Sequence, residues 1–246
     1  MKLLFNLGNS NLSWAISAET GWQTGKLTAD PKQLADALIR QFATLQAPDA
    51  VWMSSVGGKP SLEVLHTWLD RHWSIQPSMV VAEASAFGIT NCYPEASTLG
   101  ADRWAALVAV RHRYKIPACI IDAGTAVTVN LLDDKSHFRG GSIFPGLHVI
   151  RQALVSSTAN LSADTGSENS CLACTTADAI AAGTRVGWIG AVRQILDAQQ
   201  AESKSAPFIY ITGGDGELLA RGLDRQHELV PDLVLQGIDV ISELSS

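Results

Sequence analysis

Cys119-Ile120-Ile121-Asp122-Ala123-Gly124-Thr125 is the stretch whose reading decides the fold. Three apolar residues, a carboxylate and a glycine–hydroxyl turn describe a buried strand ending in a concavity of backbone N–H groups that lets a phosphate come close. Leu3-Leu4-Phe5-Asn6-Leu7-Gly8-Asn9-Ser10 repeats that layout near the N-terminus. A second strand follows each turn, over 13–17 in the first case and 127–132 in the other. A third loop, Thr212-Gly213-Gly214-Asp215-Gly216, comes after the apolar run Phe208-Ile209-Tyr210-Ile211. One such loop carries little information, because glycine punctuates most strand ends. Three of them, spread over both halves, point to a nucleotide held between two similar domains.

Working outward, Leu34, Leu38, Phe42 and Leu45 recur at helical spacing and predict a helix over 31–46. A strand over 50–56 stops at Gly57-Gly58. Leu62, Leu65 and Leu69 mark a second helix with Pro60-Ser61 at its start. Another strand is expected over 79–81, then a loop holding Asn91, Cys92, Tyr93 and Pro94, then a helix over 100–114. The second half restarts with strands at 118–123 and 127–132, a helix over 145–157 and a long helix over 176–200. Gly183, Gly187 and Gly190 fall close to one face of that helix, which suggests close packing against another helix, either of a second subunit or within the chain. Residues 208–211 and 233–235 read as the last strands, and 201–207 as a polar surface loop. Strand–loop–strand openings in both halves argue for a duplicated α/β architecture, with the cleft between the halves as the natural ligand site.

The 246 residues suffice for one large domain or two compact ones, each with a core. With 46% apolar and 17% charged residues the chain falls among ordinary globular proteins. A net charge of −6 argues against a nucleic-acid partner held on a broad basic surface. No apolar run approaches the roughly 18–20 residues of a membrane span, and the start does not read as a signal peptide. Cys119 sits in an apolar strand and reads as a buried thiol. Cys171-Leu172-Ala173-Cys174 has redox or half-zinc spacing, but no second pair or clustered His completes a zinc site, so these read as plain thiols in a reducing cytoplasm.

Several residues admit two readings. Asp122 is either a turn aspartate or a carboxylate holding a cation that bridges phosphates. Asp102, in Leu99-Gly100-Ala101-Asp102-Arg103-Trp104, is either an acidic first-turn residue favoured by the helix dipole or a general base for a substrate hydroxyl attacking phosphorus. Arg103 is a surface residue or a fork for a substrate carboxylate. Tyr93 is loop packing or a pocket wall with a polar tip. Thr176 is the N-cap of the long helix or a substrate contact. The seven Trp read mostly as core, and the six His show no ligand spacing.

Taken together, these residues resemble the type III pantothenate kinases of the actin-like ATPase superfamily over nearly the whole chain. Asn6-Leu7-Gly8-Asn9-Ser10 resembles the family's first phosphate loop. Asn91-x-Tyr93-Pro94 and Leu99–Trp104 resemble its pantothenate-binding and base segments. Asp122-Ala123-Gly124-Thr125-Ala126 resembles the second phosphate loop. Gly141–Leu147, Thr176-Ala-Asp-Ala179 and Thr212-Gly213-Gly214-Asp215 complete the order. The resemblance implies duplicated actin-like (ribonuclease H-like) ATPase domains with a cleft between them. Residues 1–115 would form the half with the first phosphate loop, and 116–246 the half with the second loop and an adenosine loop.

It also implies phosphoryl transfer from ATP to the primary hydroxyl of pantothenate, the first step of coenzyme A synthesis. Asp102 would be the proton acceptor. Asn6, Leu7, Gly8, Asn9, Ser10, Asn11, Leu12, Ser13 and Thr125 would lie at ATP. Tyr93, Gly100, Ala101, Asp102, Arg103 and Thr176 would contact pantothenate. Asp122 would hold a monovalent cation, potassium or ammonium, and Mg2+ would accompany ATP. The expected form is a cytoplasmic homodimer with no nucleic-acid or membrane partner. The sequence departs from the family in one place: the first loop usually begins with Asp, and here Asn6 stands there. Asn accepts a hydrogen bond but carries no charge. The alternative implied by that change is a weakened or silent nucleotide-binding homologue with a regulatory role.

Overall fold

The computed structural model describes residues 1–19, 21–158, 166–167, 171–203 and 205–245. The elements in chain order are β1 (Lys2–Leu7), β2 (Asn11–Ala18), β3 (Gly21–Thr28), α1 (Pro31–Phe42), β4 (Ala50–Ser55), α2 (Lys59–Trp73), β5 (Ser78–Met79), β6 (Ser85–Ala86), β7 (Ile89–Asn91), α3 (Ala101–Arg113), β8 (Ala118–Ala123), β9 (Ala126–Leu132), β10 (His137–Pro145), α4 (Leu147–Ser156), α5 (Thr176–Glu202), β11 (Phe208–Thr212), α6 (Gly216–Gly222), β12 (His227–Leu229) and α7 (Leu233–Leu244). They gather into two compact units. The first holds residues 1–116, 136–138 and 232–246, the second 117–135 and 139–231.

The first unit is built on a five-stranded sheet of order β3-β2-β1-β4-β5. β1 pairs antiparallel with β2 and parallel with β4, so Asn6 stands opposite Ser13 on one side and Ser54 on the other. Leu3, Phe5, Leu7 and Leu12 point into a core shared with Leu34, Leu38 and Phe42 of α1 and Leu65, Trp68 and Leu69 of α2. Phe42 lies edge-on to Phe5 and Trp14, with ring centroids 5.9 and 5.3 Å away. α1 begins where the sequence says it should: Asp30 caps the Lys32 N–H at 3.0 Å, and Pro31 occupies the first helical position. α2 has Pro60 in its first turn and ends at Ser74 in the left-handed conformation (φ 55°). The short hairpin β6–β7 adds Thr90 and Asn91 beside His137 and Phe138, the first residues of β10.

The second unit contains the strand order β12-β11-β8-β9-β10. β8 pairs antiparallel with β9 and parallel with β11. This is the first unit's pattern again: a central strand, its antiparallel hairpin partner, a third strand beyond it, and two further strands on the other side. Its core joins Ile121, Val127, Val129, Ile209 and Ile211 to Trp188, Ile189, Val192 and Leu196 of α5 and Leu219 of α6. The internal repetition expected from the two glycine loops is therefore present in the strand order of each unit.

Several expectations are corrected. Residues 233–235 are the start of α7, not a strand. Their apolar run continues through Ile238, Val240 and Ile241, all buried, which is a helix covered on nearly every side. α7 belongs with the first unit. Asp239 within it is 4% exposed and holds Lys2 of β1 at 2.7 Å and Arg113 of α3 at 2.7 Å. The strand read at 79–81 is Ser78–Met79, with Val80 adding one bond from its N–H to Met53 O. The helix expected from Pro145 begins at Leu147, because Pro145 ends β10. The loop at 201–207 is α5 as far as Glu202, and its Lys204 lies outside the described residues. Close packing within the chain is not seen at Gly183, Gly187 and Gly190 among the described residues, none of which lies within 4 Å of a Cβ built at those positions.

Candidate active site

In the first unit the site grows from the carboxyl ends of two parallel strands, where open α/β sheets bind their ligands. β1 ends at Leu7, the Gly8 N–H closes the turn on Asn11 O at 2.9 Å, and β2 leaves in the opposite direction. The Val56 and Gly57 N–H groups, just after β4, both donate to Leu7 O at 3.0 Å. A Cβ at Gly57 would stand 2.6 Å from Gly8 O, so the segment after β4 lies directly against the loop. Asn9, Ser10 and Asn11 are exposed at the tip. Leu7 and Leu12 are wholly buried, so their side chains serve the core and they contribute only backbone to the loop. Asn6 accepts a 2.8 Å hydrogen bond from the Ser54 hydroxyl. Ser54, buried at its strand end, was not singled out from the sequence. Its signal is the same as that of Asn6, a polar residue closing an apolar strand.

α3 brings Asp102 to that edge. Gly100, which precedes the helix, lies against both Val56 and the Asp102 carboxylate; its Cβ would be 3.5 Å from Val56 Cγ1 and 2.7 Å from Asp102 Oδ1. Asp102 Oδ1 also accepts the Arg103 N–H at 2.7 Å. Burial pushes the Asp102 carboxyl above its usual 3.8, while that N–H and the Arg103 charge pull part of the way back. A half-buried carboxylate of raised proton affinity in the first turn of a helix is suited to accept a proton from a hydroxyl.

Arg103 is not a surface residue: it is 6% exposed. It donates to Tyr93 Oη at 2.9 Å, and its guanidinium carbon lies 5.7 Å from the Tyr93 ring centre and 5.6 Å from that of Phe138. The two rings stand 5.8 Å apart. Asn91 fixes the approach of Tyr93 by accepting its N–H at 3.0 Å. Phe138, from β10, completes this group and was missed, because the chain brings it from a strand that sequence reading did not find. Thus Asn6–Ser13, Gly100–Arg103 and Tyr93 all belong to the first unit.

The second unit holds the other expected residues. Asp122, half-buried, closes β8 opposite Thr212 of β11. The turn Gly124–Thr125 follows, with Thr125 exposed and its carbonyl taken by the Gly146 N–H at 2.9 Å. Two glycines press onto this turn. A Cβ at Gly146 would collide with Gly124 O and stand 2.8 Å from Thr125 O; one at Gly213 (φ +94°) would collide with Ala123 O and the Asp122 carboxylate. The Asp215 N–H adds a 2.8 Å bond to Ala123 O. These contacts press the turn against the Asp122 carboxylate, the one side chain there whose oxygen chemistry suits a hard cation. Thr176 opens α5 with its side chain exposed, but it is not the N-cap. Thr175 is, accepting the Asp178 N–H at 3.2 Å. No group of three metal-ligating side chains occurs among the described residues.

With this geometry in hand, comparison with known proteins is informative. The family model for type III pantothenate kinase matches residues 2–198. A type III pantothenate kinase of Halorhodospira halophila is 39% identical, covering 97% of this chain and 96% of that one. One from Nitrosococcus oceani is 34% identical, covering 100% and 95%. Among solved structures, a Campylobacter jejuni protein assigned to the Baf family of transcriptional activators superposes with a TM-score of 0.61 at 22% identity, covering 99% of this chain and 98% of that one. That likeness speaks for the fold alone, and the fold is the duplicated actin-like α/β arrangement. The chain belongs to the type III pantothenate kinase family.

Proposed function

We propose that this protein transfers the γ-phosphoryl group of ATP to the primary hydroxyl of pantothenate, giving 4′-phosphopantothenate and ADP, the first step of coenzyme A synthesis. The observation that carries the reading, in a chain of this family, is the half-buried Asp102 carboxylate placed by Gly100 and Val56 at the strand ends that also present the first glycine loop. Asp102 takes the hydroxyl proton as the substrate oxygen attacks phosphorus, and the leaving ADP carries the electron pair of the broken bond. Phosphoryl transfer asks a protein mainly for positioning and charge neutralisation. The loop from Asn6 to Ser13 supplies backbone N–H groups, and Thr125 a hydroxyl, to ATP bound with Mg2+.

Tyr93, Gly100, Ala101, Arg103 and Thr176 contact pantothenate. Asp122 would hold a monovalent cation, potassium or ammonium. That ion supplies positive charge near phosphate oxygens when bound. The protein acts as a homodimer, for which the Gly183–Gly187–Gly190 face of α5, uncovered by any described residue, provides close-approach surface. Its four free cysteines suit a reducing cytoplasm. No helix among the described residues is long and apolar enough to cross a membrane. The test is product formation from pantothenate, ATP, Mg2+ and K+ by the purified protein and by Asp102→Ala. Phosphopantothenate made by the first and lost with the second is expected. No product from the unaltered chain, or product insensitive to Asp102→Ala, overturns the reading.

A further inference from the structure

The kinase reading leaves one sequence motif unused, the pair Cys171 and Cys174 with Leu172 and Ala173 between them. Both thiols are free and exposed. Leu172 between them is 90% exposed, the most exposed large apolar side chain among the described residues. The pair sits immediately before the Thr175 cap of α5. Asp178 in the first turn of that helix receives the Ser167 N–H and the Thr175 hydroxyl, the latter at 2.8 Å. Those bonds tie residues on both sides of the dithiol to the same helical turn. Cys119 is the opposite case. It is wholly buried, its thiol donates to Gln199 Oε1 at 3.1 Å, and burial pushes it up to about 12. A thiol of that kind is inert, because only the thiolate attacks.

We infer that Cys171 and Cys174 form a redox-active dithiol site that takes small-molecule disulfides as its substrate class and closes to an intramolecular disulfide. The inference does not rest on the kinase reading. One Cys thiolate attacks a sulfur of the small disulfide, forming a mixed disulfide and releasing one small thiolate, which takes up the proton the cysteine lost. The second Cys thiolate then attacks the protein-bound sulfur, expelling the second small thiol in the same way. Two electrons pass to the small disulfide, and the protein loses two hydrogen atoms. With only two residues between them in the chain, the second sulfur can reach the first, so closure outcompetes accumulation of the mixed disulfide.

The test is equilibration of the reduced, full-length protein with graded ratios of glutathione to glutathione disulfide, followed by acid quenching, alkylation, intact mass and peptide mapping. Expected is a species lighter by two hydrogen atoms with Cys171 joined to Cys174 and Cys119 unmodified. Cys171→Ser and Cys174→Ser, both at exposed positions, instead accumulate one glutathione adduct at the remaining member of the pair. Cys92, exposed and far along the chain, gives adducts in all three proteins. Phenylarsine oxide, a dithiol reagent, binds the unaltered chain so that only a dithiol removes it, and binds neither variant in that way. Separate glutathione adducts on Cys171 and Cys174, a link from either to Cys92, or no reaction at ratios that modify Cys92 would each overturn the inference.

Discussion

Ser54 Oγ donates a 2.8 Å hydrogen bond to Asn6 Oδ1, across the parallel β1–β4 pair in which the two residues are register partners. The contact holds the position-6 side chain at the strand end where the first loop begins. An aspartate there would keep an acceptor for Ser54 and, in the proposed ATP site, would add a negative charge toward the Mg2+ that accompanies ATP. A hydrogen bond to a charged group is worth about 1.5–3 kcal/mol. Asn6→Asp is therefore expected to raise turnover, or affinity for Mg2+-ATP, by about 10- to 150-fold. Steady-state kinetics of the two proteins side by side check this, and equal or lower rates in the variant refute it.

Asp102 makes a pH prediction with a definite sign. Burial raises its carboxyl above 3.8, and in the proposed role of proton acceptor it works only when ionised. As pH falls through the raised value the carboxylate is protonated and kcat/KM drops. The acid limb of the profile should have a midpoint above 3.8. Asp102→Asn keeps the shape, removes that limb and lowers kcat by about 10²- to 10⁴-fold. A limb unchanged in the variant would assign the proton transfer elsewhere.

Gly213 and Gly214 are neighbours that should respond very differently to the same substitution. Gly213 has φ +94° and presses on the Asp122–Ala123 backbone, whereas no described residue stands within 4 Å of a Cβ at Gly214. Gly213→Ala must pay backbone strain of at least about 1–2 kcal/mol and displace the Asp122 carboxylate, so stability and activity fall together. Gly214→Ala should stay within about 0.5 kcal/mol of the unaltered protein. Urea denaturation of both variants distinguishes these outcomes.

Asp239 ties the chain's two ends together and sets its acid stability. Burial pushes its carboxyl up, but hydrogen bonds from Lys2 and Arg113 outweigh this and hold it below 3.8. A carboxyl depressed in the folded state stabilises above its unfolded value and loses that contribution as pH falls through the folded one. The effect is thus complete near neutrality and disappears in acid below about pH 4. Lys2 and Arg113 keep 26% and 34% of their side chains exposed, so Asp239→Asn should cost about 1–3 kcal/mol, below the range for a fully buried pair. Chemical denaturation at neutral and acid pH should show the difference between the proteins shrinking in acid.

How much of this was legible in the sequence varied with how local the signal was. The glycine loops, and α1, α2, α3 and α5, follow from apolar spacing and from caps such as Asp30-Pro31, which act within a few residues. β3 was missed because Gln23, Thr24, Gly25 and Lys26 carry no apolar alternation; it is an edge strand whose strand pairing comes from β2. Residues 233–235 were misread because three apolar residues fit a strand or a buried helix equally well. At the site, Asp102 and Asp122 could be named from their motifs. The Arg103–Tyr93–Phe138 group could not, since Phe138 arrives from a strand whose Arg139-Gly140-Gly141 resembles a turn. The Asn6–Ser54 contact likewise depends on the register between β1 and β4.

The glycine face of α5 yields the last prediction. Gly183, Gly187 and Gly190 have open space where a Cβ would stand, and Val186 beside them is 50% exposed. In a solvent-facing helix such glycines are unfavourable, each by about 0.5–1 kcal/mol relative to alanine. In the proposed dimer a second copy would pack closely on that face, where small residues let two helix backbones approach. Gly187→Arg should then convert a dimer into a monomer in sedimentation velocity, with the far-ultraviolet circular dichroism of the unaltered chain preserved. Gly187→Ala should weaken the dimer at low protein concentration, although alanine favours the helix itself. If the unaltered protein sediments as a monomer, or Gly187→Arg remains a dimer, the face is not the interface and Gly187→Ala should simply raise the melting temperature.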